Sequence, residues 1–97
     1  MGRNNDDFQE SVLLHRGFSD VSSLNEIDTN NLGRDWSTNP EDAKVYASWG
    51  DTGKGLIISA KVSPKDVEGG YQDEEHRTVK RGAKVIITSH GNVEGRA

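Results

Sequence analysis

Three short stretches of the chain combine residue types that could act together on an anionic, sugar-containing ligand. Residues 15–17 read His-Arg-Gly after an apolar run, residues 36–38 read Trp-Ser-Thr, and residues 74–75 are both Glu. The planar guanidinium of Arg16 suits phosphate or ribose oxygens, and Gly17 lets a planar amide approach bare backbone. A carboxylate opposite them could stabilise an oxocarbenium-like sugar as a glycosidic bond breaks. Together these residues would form a nucleotide site.

The same residues also have simple structural interpretations. Arg16 can be the solvated cation of an edge strand, Ser37 a turn residue, and the pair Glu74 and Glu75 ordinary surface charge. Because each piece is common by itself, physical chemistry alone favours this interpretation over a binding site.

Other kinds of site find less support. The chain has no nucleophile elbow, no phosphate-binding glycine loop and no helix with two His ligands. His15, His76 and His90 are far apart, and their spacing does not predict a metal site. The acidic run 73–75 could bind a cation, but such a run is more typical of a solvated loop.

The first half of the chain predicts the elements that would position these residues. Residues 11–16 read as a strand, and the Ser-, Asp- and Asn-rich run 18–31 reads as a loop that could include one helical turn. Residues 33–38 predict a short strand. A helix follows, with Thr38 or Asn39 as its cap and Pro40 in its first turn, and it should end near Trp49 and Gly50.

The second half predicts three more strands. Residues 56–62 form the clearest strand, and a flexible acidic loop spans 66–75. Thr78 and Val79 should open a hairpin with its turn at 80–82 and its second strand at 83–89. The predicted class is α+β, with one main helix on a small, mostly antiparallel, split sheet. We expect a single domain over 11–90, with flexible tails at 1–10 and 91–97.

Composition limits the function classes. With 97 residues the chain can form one small domain, and 16 acidic against 12 basic residues give a net charge of −4. That charge repels a polyphosphate backbone, so nucleic-acid binding is not expected. There is no Cys, and no apolar run approaches the roughly 20 residues of a membrane span. We therefore expect no membrane partner and a cytoplasmic protein, in the host cytoplasm if a phage encodes it.

Two of the stretches resemble motifs of the ADP-ribosyltransferase family, especially its small bacterial and phage-type members. In the Arg-Ser-Glu branch, the first strand carries an aromatic residue or His followed by Arg-Gly, and "LLHRG" at 13–17 is similar. The second motif is a strand that ends in an aromatic residue and Ser-Thr-Ser, followed by a helix with Ala and an aromatic residue. "GRDWSTNPEDAKVYA" at 33–47 is similar over its whole length, with Asn39 in place of the last serine.

The third motif of that family is Gln or Glu, any residue, and then the catalytic Glu. "YQDEE" at 71–75 offers Gln72, Asp73 and Glu74. In the family the catalytic Glu stands closer to the next glycine turn, and that spacing points at His76 or Arg77 instead. Three alternatives follow: a lengthened loop, Glu75 in the catalytic role, or loss of the carboxylate.

The resemblance implies a role for each matched residue. Arg16 would hold the phosphates and ribose of NAD, Gly17 the nicotinamide amide, and Ser37 would brace the site, with His15 and Gln72 as neighbours. Glu74 or Glu75 would be catalytic. A second frame, from the His-Tyr-Asp branch, would use His15 as the first-motif residue, although the glycine register favours Arg16.

The implied function is transfer of ADP-ribose from NAD, the substrate, to a protein target. Two alternatives remain at this point. One is an inactive domain of the same fold that binds a partner or sequesters a nucleotide. The other is a structural protein with no cleft at Arg16 and Ser37.

Overall fold

The computed structural model describes residues 11–69 and 75–94, which form a six-stranded antiparallel sheet and one α-helix. The strands and the helix are, in chain order, β1 (Val12–Ser19), β2 (Asp35–Ser37), α1 (Pro40–Ala47), β3 (Lys54–Val62), β4 (Val67–Glu68), β5 (His76–Val79) and β6 (Val85–Glu94). Their order in the sheet is β4-β5-β2-β1-β3-β6, and all neighbouring strands are antiparallel. The predicted α+β class, with one main helix on an antiparallel sheet, is confirmed.

The sheet consists of two three-stranded parts that meet at one point. β1 pairs with β3 along its full length, from Val12 to Ser19. β1 pairs with β2 only where His15 lies opposite Ser37. The two strands therefore separate beyond His15, and this split opens the space in which the candidate site lies.

The hydrophobic core lies on one face of the sheet. Alternate residues of the strands point to this face, as expected for a strand with one buried side. The loop between β1 and β2 covers it with Leu32, which is buried, and with partly buried apolar side chains. The buried members of the core are Leu14, Leu32, Trp36, Leu56, Ile58, Ala60, Val62 and Val79.

Helix α1 packs on the opposite face of β1 and β3. Asn39 is its N-cap, because the Asn39 side chain accepts a 2.9 Å hydrogen bond from the backbone N–H of Glu41. Its buried residues are Ala43 and Ala47, and both are small. A Cβ atom at Gly17 would overlap the carbonyl oxygen of Ala43, so the glycine allows the helix backbone to lie directly on the strand. The helix ends at Ala47, before the predicted end near 49–50.

The predicted hairpin between Thr78–Val79 and 83–89 is wrong. β5 pairs with β2 and β4, whereas β6 pairs with β3 at the other edge of the sheet. The turn itself forms, since Ala83 N donates to Lys80 O at 3.1 Å and Gly82 has a φ of 84°. A local turn signal does not reveal which strand the next segment will join, and this turn connects the two parts of the split sheet.

Two further boundaries differ from the sequence prediction. β6 continues to Glu94, opposite Lys54, so residues 91–94 are strand and not part of a flexible tail. Asn92 also donates from its side chain to Ser22 O at 2.8 Å, which ties this end of the strand to the loop after β1. Within the predicted loop 66–75, Val67–Glu68 forms the edge strand β4. Within the described ranges, no helix is long and apolar enough to cross a membrane.

Candidate functional site

A cleft of about 430 Å³ lies where β1 and β2 separate beneath α1. Its volume falls in the range of small-molecule sites. Four residues predicted from the sequence, His15, Arg16, Gly17 and Ser37, line this cleft. The other lining residues are Asp35, Trp36, Asp42, Ala43, Tyr46 and His76. The structure thus brings the first two sequence motifs together.

A row of polar side chains crosses the sheet on the face that carries α1. Ser59 lies opposite His15, His15 opposite Ser37, and Ser37 opposite His76. Residues directly opposite each other in antiparallel strands place their side chains on the same face. The register alone therefore aligns residues that are up to 61 positions apart in the chain.

His15 is a buried member of this row. Its Nδ1 lies 2.7 Å from the Oγ of Ser59, and only 9% of the residue is exposed. Burial lowers the pKa of His15, because a charged imidazolium would lose its hydration. The neutral imidazole therefore predominates at neutral pH, with the Ser59 hydroxyl fixing its orientation.

Ser37 connects the end of β2 to the start of α1. Its Oγ accepts a 3.0 Å hydrogen bond from the backbone N–H of Asn39 and donates a 3.2 Å bond to Asp42 Oδ2. The residue is 8% exposed. Ser37 thus helps to fix the helix N-terminus and the position of the Asp42 carboxylate at the cleft.

The peptide groups of Gly17 point toward the gap between β1 and β2. Asp20 N donates to Lys54 O at 2.8 Å, so the even-numbered residues of β1 bond to β3. Because residues of an antiparallel strand bond alternately to its two neighbours, the N–H and C=O of His15 and Gly17 are directed toward β2. Pairing with β2 ends at His15, which leaves the Gly17 peptide groups facing the cleft.

The side chain of Arg16 replaces the next backbone hydrogen bond between β1 and β2. If the ladder continued, Gly17 would lie opposite Asp35, but Asp35 O instead accepts a 2.6 Å hydrogen bond from Arg16 Nη1. The guanidinium carbon lies 5.0 Å from the ring centroid of Phe18, a cation–π distance. Arg16 Nε is buried and has no hydrogen-bond partner among the described residues. Arg16 therefore links the two strands at the point where their backbone pairing has ended.

Desolvation and a nearby negative charge shift the pKa of Arg16 in opposite directions. Burial lowers the pKa of Arg16, and the carboxylate of Asp35 partly opposes this by raising it. The side chain remains charged at any physiological pH. It therefore places a positive charge at one wall of the cleft.

Glu75 contacts the start of the helix and does not line the cleft. Its Oε2 accepts a 3.1 Å hydrogen bond from Asn39 Nδ2, and its carbonyl oxygen accepts a 2.8 Å bond from Thr38 N. Glu74 and Gln72, the other predicted residues of the third motif, lie outside the described residues.

His76, one of the two residues to which the glycine spacing pointed, lines the cleft. It is the first residue of β5, opposite Ser37, and its Nε2 lies 3.3 Å from Asp35 Oδ1. Both side chains are substantially exposed, at 44% and 74%. The sequence motif alone did not select Asp35, because its proximity to His76 depends on strand pairing.

Two residues of α1 complete the cleft, and the sequence interpretation missed them. Asp42 and Tyr46 are four residues apart and so share one helix face. Tyr46 is 57% exposed, whereas Ala43 and Ala47 of the same helix are buried. The Tyr46 ring lies edge-on to that of Trp49, with centroids 4.8 Å apart. The i, i+4 spacing of Asp42 and Tyr46 is the signal that could have identified them.

In the described part of the chain, no three His, Asp or Glu side chains are grouped so that they could hold a metal ion. No family model, curated protein or solved structure matches the chain.

Proposed function

We propose that this protein is an ADP-ribosyltransferase-like domain that binds NAD in the cleft between β1 and β2. The observation that carries the proposal is the direction of the Gly17 peptide groups toward the gap between these strands. The nicotinamide carboxamide has an NH2 donor group and a C=O acceptor, so it can pair with both the C=O and the N–H of a free strand edge. Gly17 itself lines the cleft, so a ligand there can reach this strand edge.

The surrounding residues suit the rest of the ligand. Arg16 gives the cleft wall a positive charge, which favours the pyrophosphate of NAD. The neutral imidazole of His15 and the hydroxyl of Ser37 can hydrogen-bond to ribose oxygens. The exposed Tyr46 ring offers a flat surface against which an aromatic ring can stack.

ADP-ribose transfer requires a carboxylate near the sugar. The bond between C1′ of the nicotinamide ribose and the ring nitrogen breaks, nicotinamide leaves with the bonding electron pair, and an acceptor nucleophile bonds to C1′ and loses its proton. A carboxylate stabilises the positive sugar in that transition state. We assign this role to Glu74, because Glu75 directs its carboxylate to Asn39.

A second candidate function is NAD binding without transfer. The position of His76 opposite Ser37 supports binding without transfer. In the ADP-ribosyltransferase family, the spacing to the next glycine turn would place a catalytic carboxylate here, and this chain has an imidazole. In that case the domain would sequester the nucleotide or present it to a partner. The two functions differ in whether nicotinamide is released.

The test combines a ligand comparison with matched variants. Isothermal titration with NAD should show binding, and nicotinic acid adenine dinucleotide should bind at least about tenfold more weakly, because its carboxylate cannot donate to Gly17 O. Nicotinamide release should disappear in Glu74→Gln and persist in Glu75→Gln. No binding at millimolar NAD would refute the proposal. Binding without release, unchanged by Glu74→Gln, would favour the second function.

A further inference from the structure

A second cleft, of about 700 Å³, lies between residues 29–34 and residues 79–85. We call it the basic groove, because its lining includes Arg34, Lys80, Arg81 and Lys84 and, among the described residues, no Asp or Glu. One wall belongs to the loop before β2, and the other to the connection between β5 and β6. The two walls meet because that connection links the two parts of the split sheet.

The groove has an apolar floor and a cationic rim. Leu32 and Val79 lie at the base of the groove but are almost fully buried in the core, at 6% and 3% exposed. The apolar surface that a ligand can reach belongs to Ala83 and Val85, which line the groove and are partly exposed. Arg34, Lys80, Arg81 and Lys84 are all exposed. Such an arrangement can bury an apolar group while it contacts anionic groups at the edge.

One cation is held in position by the backbone. Arg34 Nε donates a 3.1 Å hydrogen bond to Val79 O, which fixes its side chain across the two walls. Lys80 lies 3.8 Å from Glu68, an exposed pair that contributes little to stability. Neither Arg81 nor Lys84 has an ion-pair partner among the described residues. Two rim cations are therefore free to meet an external anion.

The charge of the groove contrasts with that of the whole chain. The chain carries a net charge of −4, yet four of its 12 basic residues line this one groove. The sequence alone did not reveal the cluster, because Arg34 lies 46 positions before Lys80. A local positive field on an acidic protein favours an anionic partner at this place.

The exposure of its cations indicates that the basic groove binds a peptide and not a phosphate group. Phosphate sites typically converge several donors, often backbone N–H groups or a helix N-terminus, on one point. Here the cations are exposed and distributed along two walls above an apolar floor. Carboxylates spaced along an extended chain, with an apolar side chain between them, match that distribution better.

We propose that the basic groove docks an acidic, extended segment of a partner protein, with an apolar side chain against Ala83 and Val85. This interaction does not depend on NAD binding. Arg34 lines the groove and the next residue, Asp35, lines the NAD cleft, so a docked segment would lie beside that cleft.

The test is the binding of a fluorescein-labelled peptide of Glu, Asp and Leu, measured by fluorescence anisotropy. Arg81→Glu/Lys84→Glu should weaken binding at least about tenfold. Lys44→Glu/Lys54→Glu changes the net charge equally at residues that line neither cleft, and it should change affinity by less than about threefold. Affinity should fall as salt is added.

Three results would overturn the proposal. The first is no peptide binding, and the second is equal weakening by both double variants, which would indicate diffuse charge attraction. The third is displacement of the peptide by pyrophosphate at lower concentration than by unlabelled peptide, which would indicate a phosphate site. If circular dichroism shows that Arg81→Glu/Lys84→Glu is unfolded, Arg81→Ala/Lys84→Ala replaces it, with at least about threefold weakening expected.

Discussion

Replacing Gly17 with alanine tests how closely α1 lies on β1. An added Cβ would overlap Ala43 O and would lie 2.8 Å from Ala47 N, and both are helix backbone atoms that cannot move aside alone. Alanine reduces the entropy lost by the strand on folding, which stabilises by about 0.5–1 kcal/mol. Overpacking costs about 1–3 kcal/mol, and a backbone obstacle places this substitution at the upper end. Strain therefore dominates, with a net loss of roughly 2 kcal/mol.

Urea and thermal unfolding would measure this loss. For a domain of this size, roughly 2 kcal/mol lowers Tm by about 8–16 °C. Gly91→Ala is the matched control, because an added Cβ at that strand position would meet no atom of the described residues within 4 Å beyond its chain neighbours. The stability of this variant should be unchanged or slightly higher. Equal stability of the Gly17 and Gly91 variants would refute the close packing of α1 on β1.

Three further predictions follow from single side chains. Asn39→Ala removes the helix cap and should lower the free energy of unfolding by about 1 kcal/mol in urea denaturation. Burial lowers the pKa of His15, so the unfolded chain binds more protons than the folded chain. The free energy of unfolding should therefore fall as the pH drops below about 6.5, and urea denaturation should show a less steep fall in His15→Gln. Hydrogen bonds from Thr52 N, Thr52 Oγ1 and Asp51 N hold the pKa of Asp20 below its usual value. That stabilisation is present above about pH 3.9 and is lost below it, so Asp20→Ala should lower Tm at neutral pH and reduce acid sensitivity.

Local signals in the sequence predicted the elements well where a single segment determines them. The N-cap at Asn39 and Pro40 in the first helical turn give the start of α1, because capping depends only on nearby residues. The apolar run 56–62 likewise predicted most of β3. The polar continuation of β6 to Glu94 was missed, because its pairing with β3 is a tertiary contact and not a local preference.

The sequence motifs predicted those residues of the candidate site that lie together on one strand or one turn. His15, Arg16, Gly17 and Ser37 do line the cleft. The motifs could not predict where each side chain and peptide group points. Arg16 bonds to Asp35 O between the separating strands, which follows from the end of pairing between β1 and β2 and from no pattern in the sequence.

An NMR titration tests most directly the proposal that NAD binds at the open edge of Gly17. Addition of NAD to ¹⁵N-labelled protein should shift the amide signals of Gly17 and Ser37 most strongly. Gly91→Ala should behave in the same way as the unmodified chain. No shifts at millimolar NAD, or shifts confined to residues 29–34 and 79–85 of the basic groove, would contradict the account.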